Sequence, residues 1–148
     1  NCQMGRGRTT TGMVVTSMYL SWRFGRVEPK IIKPHFELIA RLLRILPYGI
    51  EAKANVDASL NLCSKMQNLR SAINDVKKNA LKHTGNKQKV YLIRALDYLK
   101  RYFYLILFAA YLWRCTKGQP IDETFEEWLK DKAVQYTSLL GAATLDEV

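Results

Sequence analysis

A cysteine, two glycines and an arginine lie close together at the start of this sequence. Cys2 is separated from Arg8 by five residues that include Gly5 and Gly7, and Thr9 follows the arginine. Glycines allow consecutive backbone N–H groups to converge on one point, which suits them to binding a phosphate. The thiolate is the nucleophilic form of cysteine. The spacing therefore predicts a phosphate-binding loop over residues 1–9 with a nucleophile at its mouth.

The residues after this loop must position it. The apolar run at residues 13–15 indicates a helix that begins near Arg8, so that its positive N-terminus points at the bound phosphate. A cysteine at such a helix terminus ionises readily. Because residues 8–23 are small or apolar on nearly every side, they predict a buried helix.

The remainder of the chain predicts further helices. Apolar residues recur at helical spacing over 34–46, over 51–82 with one bend or break, over 87–115 and around 125–129. A turn with Gly85 as a helix end-cap separates the second and third of these stretches. The sequence predicts a mainly α chain with about five helices and no convincing strand. Residues 34–140 form its helical remainder, and residues 144–148 a disordered tail.

Length and charge limit the function classes. The 148 residues are enough for one domain with a substantial core, and the net charge is +10. The basic residues lie mainly in the first two thirds of the chain. Such a surface attracts polyanions such as phosphoinositols, acidic lipids or nucleic acids. It is equally compatible with an ordinary solvated surface, or with the complement of an acidic region elsewhere.

The cysteines and histidines indicate neither a metal site nor a triad. Cys2, Cys63 and Cys115 lack metal-binding spacing and cannot all pair, which favours a reducing compartment, the cytosol. Cys63 and Cys115 lie in apolar helical segments and are expected to be buried. Neither His35 nor His83 has a partner in the sequence that would suggest a catalytic triad or a metal site. We expect no metal and no other cofactor.

Two further features are interpreted structurally. The aspartates Asp57, Asp75 and Asp97 lie at intervals typical of solvated helix faces. Residues 102–113 are twelve consecutive apolar residues, too few for the ~20 that cross a bilayer. We therefore expect that run to lie in a protein core, and we expect no membrane span.

The segment from Cys2 to Thr9 resembles the active-site loop of the cysteine-dependent phosphatases, the protein-tyrosine-phosphatase superfamily. Its glycines and its threonine pair are closest to the phytase-like and paladin-like branch. The helical part is similar to the C-terminal region of the paladin family, in the stretches 42–49, 53, 56–57, 98–102, 105–112 and 125–129. The resemblance implies the end of the last phosphatase repeat of a longer polypeptide, a C-terminal fragment of an α/β domain whose sheet is missing. Other repeats of that polypeptide would be its partners.

The same resemblance implies the chemistry. Cys2 would attack phosphorus and form a phosphocysteine, which water then hydrolyses. Arg8 would hold two phosphate oxygens, and Thr9 would hydrogen-bond the sulfur and assist its release. The substrate would be a phosphoinositol or a phosphoprotein. Backbone N–H groups of the loop residues Gln3, Met4, Gly5, Arg6 and Gly7 would bind the remaining oxygens.

The sequence departs from this family in two places. Asn1 stands where active members usually carry a histidine that tunes the thiolate. The family's general acid is an aspartate upstream of the cysteine, outside these residues, so the fragment alone is expected to be inactive. The alternative function is a pseudophosphatase that binds phospho-ligands without hydrolysis. The hypothesis of a nucleic-acid-binding module rests on net charge alone, so we do not expect this function.

Overall fold

Helices make up all the regular secondary structure in the part of the chain that the computed structural model describes, which is residues 8–25, 36–64, 68–115 and 121–143. Within these ranges there are seven α-helices and no strand, which confirms the mainly α class. They are α1 (Arg8–Phe24), α2 (Glu37–Ile45), α3 (Gly49–Leu62), α4 (Leu69–Leu81), α5 (Gly85–Arg114), α6 (Phe125–Asp131) and α7 (Val134–Gly141).

Two features raise the number of helices above the predicted five. The stretch predicted over residues 51–82 is broken into α3 and α4, and Asn68 caps the new N-terminus by accepting hydrogen bonds from the backbone N–H groups of Arg70 and Ser71. Asparagine is among the most favourable N-cap residues, so it determines where α4 begins. The second addition is α7, where the sequence predicts no separate helix.

The core is built around α5, the longest helix, whose 30 residues extend about 45 Å. Its first half is amphipathic and packs on α4, while most of residues 102–113 are buried among α1, α3 and α6. The prediction that this apolar run lies in a core is confirmed. No helix within the described ranges has both the length and the apolar character needed to cross a membrane.

Two chain reversals use left-handed backbone. Tyr48 has a φ of 58° just before α3, and at Gly49 a side chain would come within 3.2 Å of Leu43. Gly85 has a φ of 63°, a value that glycine adopts without steric cost. It is the first residue of α5, whereas the sequence predicted it as the end-cap of the preceding helix. The reversal is in the predicted place, but the glycine starts the next helix.

Helix α6 begins with a capping box. The Thr124 hydroxyl accepts a hydrogen bond from the backbone N–H of Glu127, and the Glu127 carboxylate accepts one from the backbone N–H of Thr124. The arrangement satisfies two backbone donors that the helix leaves unpaired.

We expect Thr124→Ala to lower the free energy of unfolding by about 1 kcal/mol, because the N–H of Glu127 loses its acceptor. Urea unfolding followed by circular dichroism measures this. Thr84 is the matched control, since it is the N-cap residue of α5 but its side chain makes no capping hydrogen bond. An equal loss of stability in Thr84→Ala would contradict the role of the cap.

Candidate functional site

The structure describes only the end of the predicted phosphate loop. Arg8 and Thr9 are the first two residues of α1, and both are exposed, while Thr10 is buried. Within the described residues a helix is present from Arg8 onward, where the sequence predicts one. The other predicted site residues, Cys2, Gln3, Met4, Gly5, Arg6 and Gly7, lie outside the described residues, as do Asn1, His35 and the predicted tail 144–148.

A regular buried stripe holds α1 in place. Thr10, Val14, Met18 and Trp22 recur at every fourth position and are buried, and the three apolar ones belong to the main core. Residues four apart lie on one face of a helix, so this stripe fixes the rotation of α1 against α3 and α5. Arg8 and Thr9 lie outside this stripe, in the first turn of α1.

The charge distribution along α1 favours an anion at its N-terminus. The first turn contains no acidic residue, and Arg23 lies in the last turn. The helix dipole is positive at the N-terminus, where the first N–H groups have no acceptor within the helix. Arg8 adds a formal positive charge at the same end.

A buried side chain links α1 to α3. The Asn55 amide Nδ2 donates a hydrogen bond to the backbone carbonyl of Met18 at 3.3 Å, and Asn55 is buried. Its Oδ1 and the hydroxyl of Ser59, one turn later, make no hydrogen bond to the residues that the structure describes. The position of α1 along α3 therefore depends on a polar contact as well as on packing.

Asp57 is the centre of a buried charge network that joins three helices. Its Oδ2 lies 2.6 Å from Lys53 Nζ and 3.2 Å from Arg70 Nη1, and its Oδ1 accepts a 2.6 Å hydrogen bond from the hydroxyl of Tyr102. These partners lie on α3, α4 and α5. We refer to Lys53, Asp57, Arg70 and Tyr102 as the Asp57 cluster. A carboxylate this deeply buried is tolerated because each of its oxygens is paired.

The Asp57 cluster corrects the sequence-based interpretation. Asp57 was predicted on a solvated face, but it is 1% exposed. Asp75 and Asp97 are exposed as predicted. Burial, followed by the negative charge of Asp57, raises the pKa of Tyr102 far above its usual value, so its hydroxyl remains a hydrogen-bond donor.

One sequence signal could have identified this cluster. Lys53 and Asp57 are four residues apart on α3, and apart from Asn55 the other positions from 52 to 58 are alanine or valine. A helix with small or apolar residues all round is a buried one, and any charged residue it contains must then be paired internally. The partners on α4 and α5 could not be found in this way.

An open groove of roughly 1060 Å³ runs along α1 away from its buried stripe. Met13, Leu20 and Phe24 of α1 and Leu62 of α3 line it and are exposed. Part of the helix that the sequence predicted as buried is thus exposed to solvent in the part of the chain described. The remaining lining residues are small or polar: Gly12, Thr16, Ser17, Ser21, Ala58, Asn61 and Cys63.

The two described cysteines are structural. Cys63 is buried, as predicted, and Cys115 is half-buried with its Sγ 3.2 Å from the carbonyl oxygen of Tyr111. Burial raises the pKa of Cys115, which makes its thiol a poor nucleophile at neutral pH. His83 stacks on the ring of Tyr91. Among the described residues, no three His, Cys, Asp or Glu side chains converge on a possible metal site.

Comparison with known proteins gives consistent matches to one protein. The chain is 32% identical to paladin of Mus musculus over 154 residues, which covers 91% of this chain and 18% of that protein. It is 31% identical to paladin of Xenopus tropicalis and of Gallus gallus, each match covering 90% of this chain and 17% of the relative. No family model matches the chain, and no solved structure matches it. The chain thus spans less than a fifth of the length of these relatives.

Proposed function

Because the chain is homologous to paladin over about nine-tenths of its length, we propose that it is the C-terminal half of a cysteine-dependent phosphatase domain. One observation carries the proposal: Cys2 precedes Arg8 by the family's spacing, and Arg8 and Thr9 lie in the first turn of α1. The activity would belong to the full-length protein, in a reducing compartment such as the cytosol.

The proposed reaction proceeds in two steps. The Cys2 thiolate attacks phosphorus, a sulfur–phosphorus bond forms, and the leaving oxygen departs with its electron pair. Arg8 and the backbone N–H groups of residues 3–8 stabilise the equatorial phosphoryl oxygens in the transition state. The positive N-terminus of α1 stabilises the same negative charge. Water then attacks the phosphocysteine and releases inorganic phosphate, while the Thr9 hydroxyl donates a hydrogen bond to the departing sulfur.

The substrate would be a phosphoinositol or a phosphoprotein. Arg6 would place a second positive charge in the loop, which favours a substrate with several phosphates. The general acid would be supplied by an aspartate elsewhere in the polypeptide, as in the family that the loop resembles. General acids of this kind typically contribute 10²–10⁴-fold in rate.

The groove along α1 supports the proposed domain organisation. Met13, Leu20 and Phe24 are exposed there, and contiguous apolar side chains are usually covered by another surface. In the proposal, the β-sheet of the same phosphatase domain covers this face of α1. The helix would then be buried on both sides, as its sequence predicts.

A pseudophosphatase is the second candidate function, and Asn1 is the observation that favours it. Without the histidine usual at that position, the thiolate is less well activated. Phosphate release from inositol hexakisphosphate and from a phosphotyrosine peptide, measured with the full-length protein, distinguishes the two. Release supports the enzyme, whereas tight binding of either compound without release supports the pseudophosphatase.

The enzyme hypothesis requires an anion-binding loop with a reactive cysteine. We therefore expect iodoacetate at pH 6.5 to label Cys2 about tenfold faster than Cys115. The loop cysteine would be a thiolate at this pH, whereas burial raises the pKa of Cys115 and keeps its thiol protonated. Vanadate should slow the labelling of Cys2 alone. Peptide mapping by mass spectrometry measures each site in the same sample. Equal labelling rates, or no protection by vanadate, would argue against the loop.

A further inference from the structure

The turn between α4 and α5 carries an unusual surface. Residues 77–94, which we term the hairpin tip, contain six Lys or Arg residues and no Asp or Glu. All six cations are exposed, and none forms an ion pair with any residue that the structure describes. They are Lys77, Lys78, Lys82, Lys87, Lys89 and Arg94.

Large aliphatic side chains are exposed among these cations. Leu81 is 74% exposed at the end of α4, and Val90 and Ile93 are 56% and 46% exposed in the first turns of α5. These helices pack on each other through their opposite faces, where Ile73, Ala80 and Ala95 are buried. The hairpin tip is therefore rigidly supported, and its aliphatic residues do not contribute to the core.

We infer that the hairpin tip binds the surface of an anionic lipid bilayer. The aliphatic side chains would enter the boundary between headgroups and acyl chains, and the cations would contact acidic headgroups around them. Both contributions act together at membrane surfaces, where apolar insertion and attraction to anionic lipids add. The protein would lie on the bilayer rather than cross it.

Nucleic acid is the other polyanion to consider, and the observations favour it less. Proteins that bind nucleic acid combine cations with polar or aromatic side chains that contact the bases. The tip carries polar residues such as Thr84 and Asn86, but it also exposes leucine, valine and isoleucine, which base contacts do not need. Its aromatic ring, Tyr91, is stacked on His83 at a centroid distance of 5.4 Å. Aliphatic exposure of this kind is useful against acyl chains and gives little contact energy with phosphates.

Co-sedimentation of the full-length protein with vesicles tests this inference. We expect binding to vesicles of phosphatidylcholine with about 30% phosphatidylserine, whose surface potential is negative. Vesicles of phosphatidylcholine alone should bind little protein. The double variant Lys78→Glu/Lys89→Glu should weaken binding about tenfold or more. Leu81→Ser/Val90→Ser should weaken it about tenfold at unchanged charge.

Matched controls separate the tip from general charge and hydrophobicity. Arg44→Glu/Lys130→Glu changes the charge equally at exposed positions on α2 and α6, and Val134→Ser removes an exposed aliphatic on α7. Both should bind as the wild type does. All substituted side chains are exposed, and the control breaks only the surface ion pairs Arg44–Glu37 and Lys130–Glu126, which contribute little to stability. Circular dichroism and thermal unfolding of every variant should therefore stay close to the wild type and confirm folding.

The remaining outcomes would overturn the inference. These are equal weakening by tip and control variants, binding that is insensitive to salt, or preferential binding to duplex RNA that anionic vesicles do not compete away. Cys2→Ser should bind vesicles like the wild type. Vesicle binding would therefore stand even if the phosphatase proposal failed. Phosphate release would likewise stand if the protein did not bind vesicles.

Discussion

Asp57→Ala is expected to lower the free energy of unfolding by about 3–5 kcal/mol, a large fraction of the stability of a domain of this size. The carboxylate pairs with Lys53 and Arg70 and accepts the hydroxyl of Tyr102 in the interior. Its removal leaves Lys53, which is 4% exposed, as a buried cation without this partner, and leaves the Tyr102 hydroxyl without its acceptor. Urea unfolding of the chain measures the change.

The chain provides close controls for this result. Asp75 and Asp97 are exposed helical aspartates, and their replacement by alanine should change stability by no more than about 0.5 kcal/mol. Tyr102→Phe should cost about 1.5–3 kcal/mol, since it removes one charge-assisted hydrogen bond but leaves the ion pairs. The double variant with Asp57→Ala should lose less than the sum of the two. Similar losses at Asp57 and Asp97 would refute the buried network.

Cys2→Ser is expected to abolish phosphate release by the full-length protein. A serine hydroxyl at the same position remains protonated at neutral pH, so it cannot replace the thiolate as nucleophile. Binding of the phospho-ligand should persist, because the proposed contacts to phosphate come from Arg8 and backbone N–H groups. Release is measured from inositol hexakisphosphate and from a phosphotyrosine peptide, and affinity by calorimetry with the same compounds. Unchanged release in Cys2→Ser would reject the cysteine mechanism.

The arginine of the loop allows a finer comparison. Arg8→Lys keeps the charge but removes the planar guanidinium that can hold two oxygens, so we expect a loss of about 10²–10³ in kcat. Arg23→Lys at the other end of α1 should change nothing, as it lies in the last turn and is exposed. If both variants behaved alike, Arg8 would contribute only to the general field of the helix.

The principal helices could be predicted from the sequence because their apolar residues recur at helical spacing. This holds for α1, α2 and α5, whose bounds lie within a few residues of those predicted. Helix α7 has no such signal: it contains Val134, Thr137 and a glycine, no side-chain cap, and only one buried residue, Tyr136. Its formation depends on packing Tyr136 near Trp128 of α6 and the chain around α2. Such a helix is stabilised by tertiary contacts, which local propensity does not report.

The candidate site divides in the same way. The proposed phosphate loop is a contiguous run of residues, so its types and spacing are enough to single out Cys2, Arg8 and Thr9 as candidates. The Asp57 cluster joins distant parts of the chain, and Asp57 and Tyr102 alone are 45 positions apart. The short side chains around Lys53 and Asp57 indicate a buried pair on α3. The sequence does not identify Arg70 and Tyr102 as its partners on α4 and α5.

The sequence by itself therefore determined the mainly helical character, the helix that contains Arg8, and the relationship to paladin. These depend on local periodicity and on residues adjacent in the chain. Only the tertiary structure decided which charges are buried, which face of α1 remains open, and that cations and aliphatic side chains share the tip of the α4–α5 hairpin. Each of these depends on which helix faces pack together, and packing is a property of distant segments meeting in space.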